Sequence, residues 1–333
     1  NCGESGLALR MFSPVAALLS HRCTLTGEGS LLKRPVSMIT DALSKLGTSA
    51  ESDKGFLPLV INGKLTGGKI EIDGSSGSQI LTGLLLSLPC AETDSEIDVL
   101  NLKSKTYIGL TLKLLEDFGI YVENHGYSRF VIPGNQVYKA RNYSVEGDWS
   151  GSSFLLVAGA LTGEVRVSNL QPGSLQADVA VIEALKLAGA EIIIESDSVT
   201  AVRRELRSFD FDATDSPDLF PPLAALASGC AGITRIKGIS RLEHKESNRS
   251  LSIAGVLTGL GISTRVTGDE MLIEGGAVTG ATVSSCDDHR IAMMASVAAL
   301  TGHGSVTITG AEAVSKSYPG FFDDLGKLGV IIN

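Results

Sequence analysis

Apolar stretches long enough to form helices recur along the chain, and each follows a short loop rich in glycine, serine or aspartate. Residues of these types favour the start of a helix. The loops begin at residues 1, 74, 147, 213 and 286, so that they lie 73, 73, 66 and 73 residues apart. This pattern predicts five copies of one structural unit.

A second series of predicted helices ends at a glycine in each of the same units. These glycines are Gly47, Gly119, Gly189, Gly261 and Gly329, which lie 72, 70, 72 and 68 residues apart. A glycine directly after the last turn of a helix commonly takes the left-handed conformation. Two series of helices with nearly the same period argue against chance regularity in an unspecialised α/β protein.

Short β-branched segments lie between the two helices of a unit, and a pair of strands follows the second helix. Residues 163–167 illustrate the single strand, and residues 189–194 with 199–202 illustrate the pair. Each unit therefore reads helix, strand, helix, strand, turn, strand, which predicts an α/β fold. The length of 333 residues favours two domains. We divide the chain into residues 1–146 and 147–333, where the third unit begins.

Composition and charge exclude several classes of protein. The formal net charge of −9 argues against a broad nucleic-acid-binding surface, since such surfaces are usually basic. Five cysteines without a CxxC pair fit reduced thiols in a cytoplasmic protein rather than disulfides or a zinc site. No apolar run has the roughly 20 residues of a membrane span, and no signal peptide is visible. The chain starts at Asn1, in a loop that lacks the strand expected before it, so we expect an N-terminal truncation.

Basic residues recur at one position of the repeat, just before the second helix. Arg34, Lys105, Lys245 and Lys316 occupy this place in four of the units. Free backbone N–H groups at the starts of helices also favour anions. We therefore expect a small polyanionic ligand, bound by a few cations in an otherwise acidic protein.

Two carboxylates stand among these cations. Asp218 follows a Ser-Pro pair at the start of an apolar helix, and Glu246 directly follows Lys245. Neighbouring cations keep such groups ionised, and carboxylates near developing charge are candidates for proton transfer. The residues alone indicate a two-domain enzyme acting on a multiply anionic substrate, with the type of reaction left open.

The segment DHRIAM at 288–293 closely resembles a signature of the 3-phosphoshikimate 1-carboxyvinyltransferase, or EPSP synthase, family. Further motifs agree with that family in the same order along the whole chain. They are GxSGxxxR at 3–10, GE…KRP at 27–35, SSGSQ at 75–79, SKTY at 104–107, VEGDWS at 145–150, SPD at 216–218, HKESNR at 244–249 and SKSYP at 315–319.

The resemblance implies an inside-out α/β barrel arrangement, with two domains of three βαβαββ units each. The starts of the helices would face a cleft between the domains. This chain has five of the six units. The family's opening segment, which carries a Lys-Ser…Arg motif for both substrates, would precede Asn1, so we expect the chain to be catalytically impaired.

The resemblance also implies a reaction, the transfer of the enolpyruvyl group of phosphoenolpyruvate to the 5-hydroxyl of shikimate 3-phosphate, without cofactor or metal. Asp218 would be the base for the hydroxyl, and Glu246 a candidate for the proton at C3 of phosphoenolpyruvate. His289 would act in proton transfer, or would only orient Asp288 or cap a helix. The residues implied to bind phosphoenolpyruvate are Gly6, Arg34, Gln79, Arg249, Arg290 and Lys316. Those implied to bind shikimate 3-phosphate are Ser78, Gln79, Ser104, Asp218 and Lys245.

Three alternatives compete with this interpretation. The sister transferase acting on UDP-N-acetylglucosamine is disfavoured, because the SPD, KESNR and DHRIAM segments fit the shikimate enzyme better and no mobile cysteine loop is evident. An RNA-cyclase-like protein is disfavoured by the acidic charge. A non-catalytic ligand-binding fragment stays open because of the expected truncation. We expect a cytoplasmic monomer with small-molecule partners, without nucleic acid or membrane, in a family known as the glyphosate target.

Overall fold

The computed structural model describes residues 1–19, 21–243 and 245–333. The chain forms two compact units, Asn1–Tyr143 and Ser144–Asn333. The sequence places its domain boundary a few residues later, between 146 and 147. That assignment of functional domains stays a prediction.

The first unit contains the first two repeats and two sheets, with strand orders β1-β3-β2 and β4-β5-β7-β6. Its elements are α1 (Gly6–Ala16), β1 (Cys23–Leu25), α2 (Ser37–Lys45), β2 (Ser49–Asp53), β3 (Phe56–Asn62), β4 (Gly68–Asp73), α3 (Gln79–Ser87), β5 (Ser95–Leu100), α4 (Lys105–Asp117), β6 (Glu123–His125) and β7 (Arg129–Ile132).

The second unit contains the other three repeats and three sheets, with orders β8-β10-β9, β11-β12-β14-β13 and β15-β16. Its elements are α5 (Trp149–Thr162), β8 (Glu164–Ser168), α6 (Val181–Leu187), β9 (Glu191–Ile194), β10 (Ser198–Val202), β11 (Asp210–Asp212), α7 (Phe220–Ser228), β12 (Ile233–Lys237), α8 (Arg249–Gly259), β13 (Ser263–Thr267), β14 (Glu270–Glu274), β15 (Thr282–Ser284), α9 (His289–Ala299), β16 (Thr307–Thr309) and α10 (Phe321–Lys327). Short 3-10 helices precede several of the α-helices, at Gly29–Lys33, Ala177–Ala180, Pro217–Leu219, Ile239–Arg241 and Ala311–Lys316.

Each repeat builds its own small sheet, and the second and fourth repeats are the most complete. Their first two strands are parallel and joined through a helix, α3 between β4 and β5 and α7 between β11 and β12. The remaining strands pair antiparallel. A parallel pair needs such a crossover connection, whereas the antiparallel hairpin closes with a short turn. The α/β fold class predicted from the sequence is therefore confirmed.

The third repeat departs from this pattern, because the described residues form no strand between β7 and α5 that could pair with β8. The segment before α5 is tied to the loop after β8 by a hydrogen bond from Gly147 N to Asn169 O, 2.7 Å long. Residues 142–145 are exposed to solvent, so they contribute no apolar face that a sheet would bury.

In the described part of the chain, four helices begin at a side-chain cap, and three of these caps are of the residue types in which the preceding loops are rich. The side chains of Ser5, Asp148, Asn248 and Asp288 accept hydrogen bonds from backbone N–H groups in the first turns of α1, α5, α8 and α9. Such caps satisfy donors that the helix cannot pair internally. The five glycines predicted to follow the second helices all have positive φ, with values of 88°, 78°, 94°, 85° and 96° along the chain.

The first helix of most repeats lies inside the fold. Nearly every residue of α5, α7 and α9 is buried, and these three helices pack together in the core of the second unit. Helix α3 occupies the corresponding place in the first unit. A helix that is apolar on all sides must be enclosed, because each buried Leu, Ile or Phe side chain contributes about 1.5–3 kcal/mol. The loops before these helices are thereby fixed in position.

No helix in the described residues is both long and apolar enough to span a membrane.

At the glycines after the second helices, two substitutions can separate the cost of a positive φ from the cost of a steric clash. At Gly47 a Cβ would lie 2.3 Å from Thr66 Oγ1, whereas at Gly329 it would meet nothing within 4 Å. We expect Gly329→Ala to lower the free energy of unfolding by about 1 kcal/mol through backbone strain alone, and Gly47→Ala by about 2–4 kcal/mol. Denaturant unfolding measures both, and equal losses would contradict the steric contribution.

Candidate active site

One buried guanidinium organises the polar groups of the second unit. The side chain of Arg249, the first residue of α8, is only 1% exposed. Its Nε donates to Asp288 Oδ2 (2.8 Å), its Nη1 to Asp218 Oδ1 (2.7 Å) and its Nη2 to Glu246 Oε2. Burial would lower the pKa of Arg249, but the three carboxylates outweigh this effect and raise it. Arg249 therefore stays charged and holds three acids in place.

Asp218 lies where three cations converge. It belongs to the 3-10 helix Pro217–Leu219, directly before the buried helix α7. Besides Arg249, its Oδ1 is 3.3 Å from Lys245 Nζ and 3.6 Å from Arg290 Nε. Burial alone would raise the pKa of Asp218, but the charges of Arg290, Lys245 and Arg249 prevail and hold it well below its usual value. Asp218 is consequently ionised in this arrangement.

Asp288 joins the starts of two helices. Its Oδ1 accepts a hydrogen bond from Arg290 N at 3.0 Å, which caps α9, and its Oδ2 accepts from Ser247 Oγ at 3.1 Å. Because Asp288 also binds Arg249, one fully buried carboxylate sets the positions of both Arg249 and Arg290. Burial would raise the pKa of Asp288, but the charge of Arg249 lowers it.

Glu246 lies on the loop before α8 and is half-buried. Burial would raise its pKa, but the Arg249 guanidinium lowers it below the usual value. The carboxylates of Glu246 and Asp218 thus share one guanidinium as hydrogen-bond donor. The structure brings together the two acids that the sequence singles out.

His289 is the first residue of α9 and is largely buried. Its Nδ1 has no hydrogen-bond partner within the described part of the chain and lies 3.9 Å from Asp288 Oδ1. Burial and the neighbouring charge of Arg290 lower the pKa of His289 to about 4. The imidazole is therefore neutral near pH 7. Its predicted part in catalysis stays a prediction.

Lys316 lies at the end of the 3-10 helix Ala311–Lys316, and its Nζ donates to the carbonyl oxygen of Asp287 at 2.9 Å. This contact places the ammonium beside the loop that starts α9. Cys286 and Asp287 in that loop both have positive φ, 52° and 59°. Non-glycine residues adopt this conformation at a cost, so the loop is held by its surroundings.

Among the site residues of the first unit, Gly6 and Arg34 approach each other closely. A Cβ at Gly6 would lie 2.8 Å from Arg34 Nη1 and 2.9 Å from Arg10 Nη1, so a side chain there would displace both guanidiniums from their present positions. Arg10 Nη1 also donates to Gln79 Oε1 at 2.9 Å. Two cations and an amide therefore gather at the start of α1, which itself favours anions.

Ser78 and Ser104 start two neighbouring helices, α3 and α4. A backbone hydrogen bond from Lys103 N to Gly74 O, 3.2 Å long, ties the two loops together. Both serines are buried, and Ser104 has a left-handed backbone with φ of 57°. That conformation is uncommon for serine and is found where the surrounding structure imposes it.

The structure therefore forms one cluster in each unit from the predicted residues. The second unit gathers Asp218, Lys245, Glu246, Arg249, His289, Arg290 and Lys316, and the first gathers Gly6, Arg34, Ser78, Gln79 and Ser104. His244, the first residue of the HKESNR motif, lies outside the described residues. The binding and catalytic roles assigned to these residues stay predictions.

Asp178 is a residue that the sequence analysis missed. It lies in the 3-10 helix Ala177–Ala180, is 1% exposed, and neither carboxylate oxygen has a hydrogen-bond partner among the described residues. Burial, followed by the charge of Asp218, raises its pKa to about 6, while Arg290 acts in the opposite sense. The available signal was an aspartate within the apolar run of residues 177–185.

The sequence profile of the EPSP synthase (3-phosphoshikimate 1-carboxyvinyltransferase) family matches residues 1–325. The chain belongs to the EPSP synthase family. The family inferred from the DHRIAM, SPD and KESNR motifs is thereby confirmed.

Individual members of the EPSP synthase family show how much of the chain is shared. The 3-phosphoshikimate 1-carboxyvinyltransferase of Methanocella arvoryzae is 42% identical over 332 residues, which cover 98% of this chain and 78% of that protein. The Methanocorpusculum labreanum protein of the same name is 38% identical over 333 residues, covering 99% of this chain and 78% of that protein. The solved structure of EPSP synthase from Acinetobacter baumannii superposes with a TM-score of 0.81 at 27% identity, covering 99% of this chain and 79% of that one.

The raised pKa of Asp178 predicts how stability changes with pH. Its pKa in the fold lies above that of an unfolded chain, so the fold loses stability as pH rises from about 4 through about 6. Asp178→Asn removes this loss, and we expect its free energy of unfolding to rise relative to the parent by about 2 kcal/mol between pH 4.5 and 7.5. Urea unfolding at both pH values measures the difference.

Glu183→Gln is the matched control, because Glu183 is exposed on the adjoining helix α6. It makes the same change of charge without burial. A difference between Asp178→Asn and the parent that is independent of pH would contradict the raised pKa.

Proposed function

We propose that this chain transfers the enolpyruvyl group of phosphoenolpyruvate to the 5-hydroxyl of shikimate 3-phosphate and releases phosphate. One observation carries the proposal: the Asp218 carboxylate lies among Lys245, Arg249 and Arg290, with Glu246 on the same guanidinium. Membership of the EPSP synthase family supports the same reaction.

The cluster suits an addition and elimination on a multiply anionic substrate. The hydroxyl attacks C2 of phosphoenolpyruvate as C3 gains a proton, and the tetrahedral intermediate then loses phosphate and a proton from C3. Fixed cations stabilise the carboxylate and phosphate throughout, since they need no rearrangement as charge moves. Arg249, Arg290 and Lys316 are the cations of this unit that we assign to phosphoenolpyruvate.

Asp218 is the proposed base for the attacking hydroxyl. With three cations around it, the carboxylate is a weak base, because its pKa lies far below the usual value. An anionic ligand at Arg290 and Lys245 would neutralise those charges and raise the basicity of Asp218. Substrate binding itself would therefore prepare Asp218 to accept the proton.

Glu246 is the proposed group for the proton at C3. Glu246 accepts a hydrogen bond from Nη2 of Arg249, whereas Asp218 accepts one from Nη1. Because each carboxylate has its own nitrogen of Arg249, Asp218 can accept the hydroxyl proton and Glu246 can handle the C3 proton without either displacing the other. His289, neutral at pH 7, would then support Asp288 and the start of α9 rather than donate a proton.

The substrates are small molecules, bound by a monomer in the cytoplasm, with neither nucleic acid nor membrane as a partner. The net charge of −9 supports the absence of a nucleic-acid partner, because nucleic-acid-binding surfaces are usually basic. Residues 1–146 and 147–333 are the proposed domains, and no metal or cofactor is required by the chemistry.

The acceptor distinguishes this function from that of the sister transferase. We expect phosphate release from phosphoenolpyruvate to be slow and to depend on shikimate 3-phosphate, with none above background with UDP-N-acetylglucosamine. Coupled phosphate detection, with mass spectrometry of the product, measures both reactions. Release only with the nucleotide sugar would overturn the proposal, and binding of both substrates without release would favour a ligand-binding protein.

Replacing the proposed base should reduce turnover without unfolding the site. Asp218→Asn keeps the size of the side chain but cannot accept the proton, so we expect kcat to fall by about 10²-fold or more. Asp215→Asn is the control, since Asp215 is exposed three residues earlier in the same loop. Near-normal kcat in Asp218→Asn would remove this residue from the role of base.

A further inference from the structure

Asp178 has a buried carboxyl group whose two oxygens have no hydrogen-bond partner within the described residues. It lies near Arg290, where we place the bound anion. A carboxylate shielded from water normally finds hydrogen-bond donors or a paired cation. Here both oxygens have neither within the described residues, and the Ser150 hydroxyl faces the carboxyl without a hydrogen bond of normal geometry. Such a group is poorly stabilised as an anion, so it is the acid of this cluster most easily protonated.

The charged neighbours of Asp178 come from three elements. Asp148 lies at the start of α5, Asp218 in the 3-10 helix before α7, and Arg290 at the start of α9. The 3-10 helix that carries Asp178 packs against α5, and α5 in turn packs against the segment of Asp218 and against α9. Asp178 and Asp218 therefore both lie in the field of Arg290, and of these two only Asp218 also has Lys245 and Arg249 as partners.

An anion bound at Arg290 would change this balance. It would cancel the positive charge that favours ionised Asp178 and add negative charge beside it. Asp218 would keep Arg249, with which it shares a 2.7 Å hydrogen bond, whereas Asp178 would keep no cation of its own. The free energy of ionising Asp178 would therefore rise as the ligand binds.

We propose that Asp178 takes up a proton from solvent when an anionic ligand binds at Arg290. The proton adds to a carboxylate oxygen of Asp178, and no bond of the ligand is made or broken. The inference rests on the proposed function, which places the phosphoenolpyruvate anion at Arg290. Asp178 would then be a positioning residue, because its protonation adjusts the net charge of the site to the charge of the bound ligand.

Calorimetry can count the protons that accompany binding. Phosphoenolpyruvate is titrated at pH 7 in two buffers with different ionisation enthalpies, into the parent, Asp178→Asn and Glu183→Gln. We expect the parent and Glu183→Gln to take up about half a proton more per ligand bound than Asp178→Asn does. Phosphoenolpyruvate titrates near the same pH, but its own contribution is common to all three and cancels in the comparison.

Sulfate gives a second measurement that needs no variant, because it does not titrate near neutral pH. Its binding to the parent should also be accompanied by proton uptake. Equal uptake by parent and Asp178→Asn, or sulfate binding without uptake, would overturn the inference and leave the proposed function intact. Failure of the parent to bind phosphoenolpyruvate would instead contradict the proposed function and the inference with it.

Discussion

The candidate site depends on one ionic contact, the buried guanidinium of Arg249 among three carboxylates. Asp218 precedes α7, Asp288 caps α9, and Arg249 itself begins α8, so the contact joins the starts of three helices. Burying these charges is costly, and the cost is offset only while every partner is present. Loss of one carboxylate would leave part of the buried Arg249 charge unpaired. The contact therefore contributes more to a unique geometry of the site than to the free energy of unfolding.

The repeat explains why charged groups can be placed so accurately. Helices α5, α7 and α9 are enclosed by apolar contacts, and a tightly packed helix cannot shift or rotate without losing them. Asp218, His289 and Arg290 lie at the starts of α7 and α9, and Arg249 begins α8, which packs against both. Their positions are thus set by the core, and the N–H groups of the first turns face the same loops. A few cations at fixed positions would therefore be enough to bind an anion in a protein of net charge −9.

Much of this could be predicted from the sequence, and the limits have physical causes. The glycines such as Gly261 mark helix ends because only the local backbone decides their φ, and the structure gives that angle as 85°. The pairing of Arg249 with Asp288 joins residues 39 positions apart, and no local pattern specifies it. Asp178 was missed for the same reason: its properties come from burial by distant elements, and its own segment reads as an ordinary apolar run. The sequence identified the cations of the site. It did not show that Lys245, Arg249 and Arg290 already pair with carboxylates of the chain.

Asp218 and Asp178 show how two aspartates near the same cation can have very different pKa values. Both lie near Arg290, yet the pKa of Asp218 is far below its usual value and that of Asp178 is raised to about 6. The difference follows from direct contact: Asp218 has Arg249 at 2.7 Å and Lys245 at 3.3 Å, whereas Asp178 has burial and the repulsion of Asp218. Pairs of acids with divided pKa values are typical of sites that move protons. Three cations contact Asp218 and none contacts Asp178 within the described residues, and an anion bound at Arg290 would act on both acids at once.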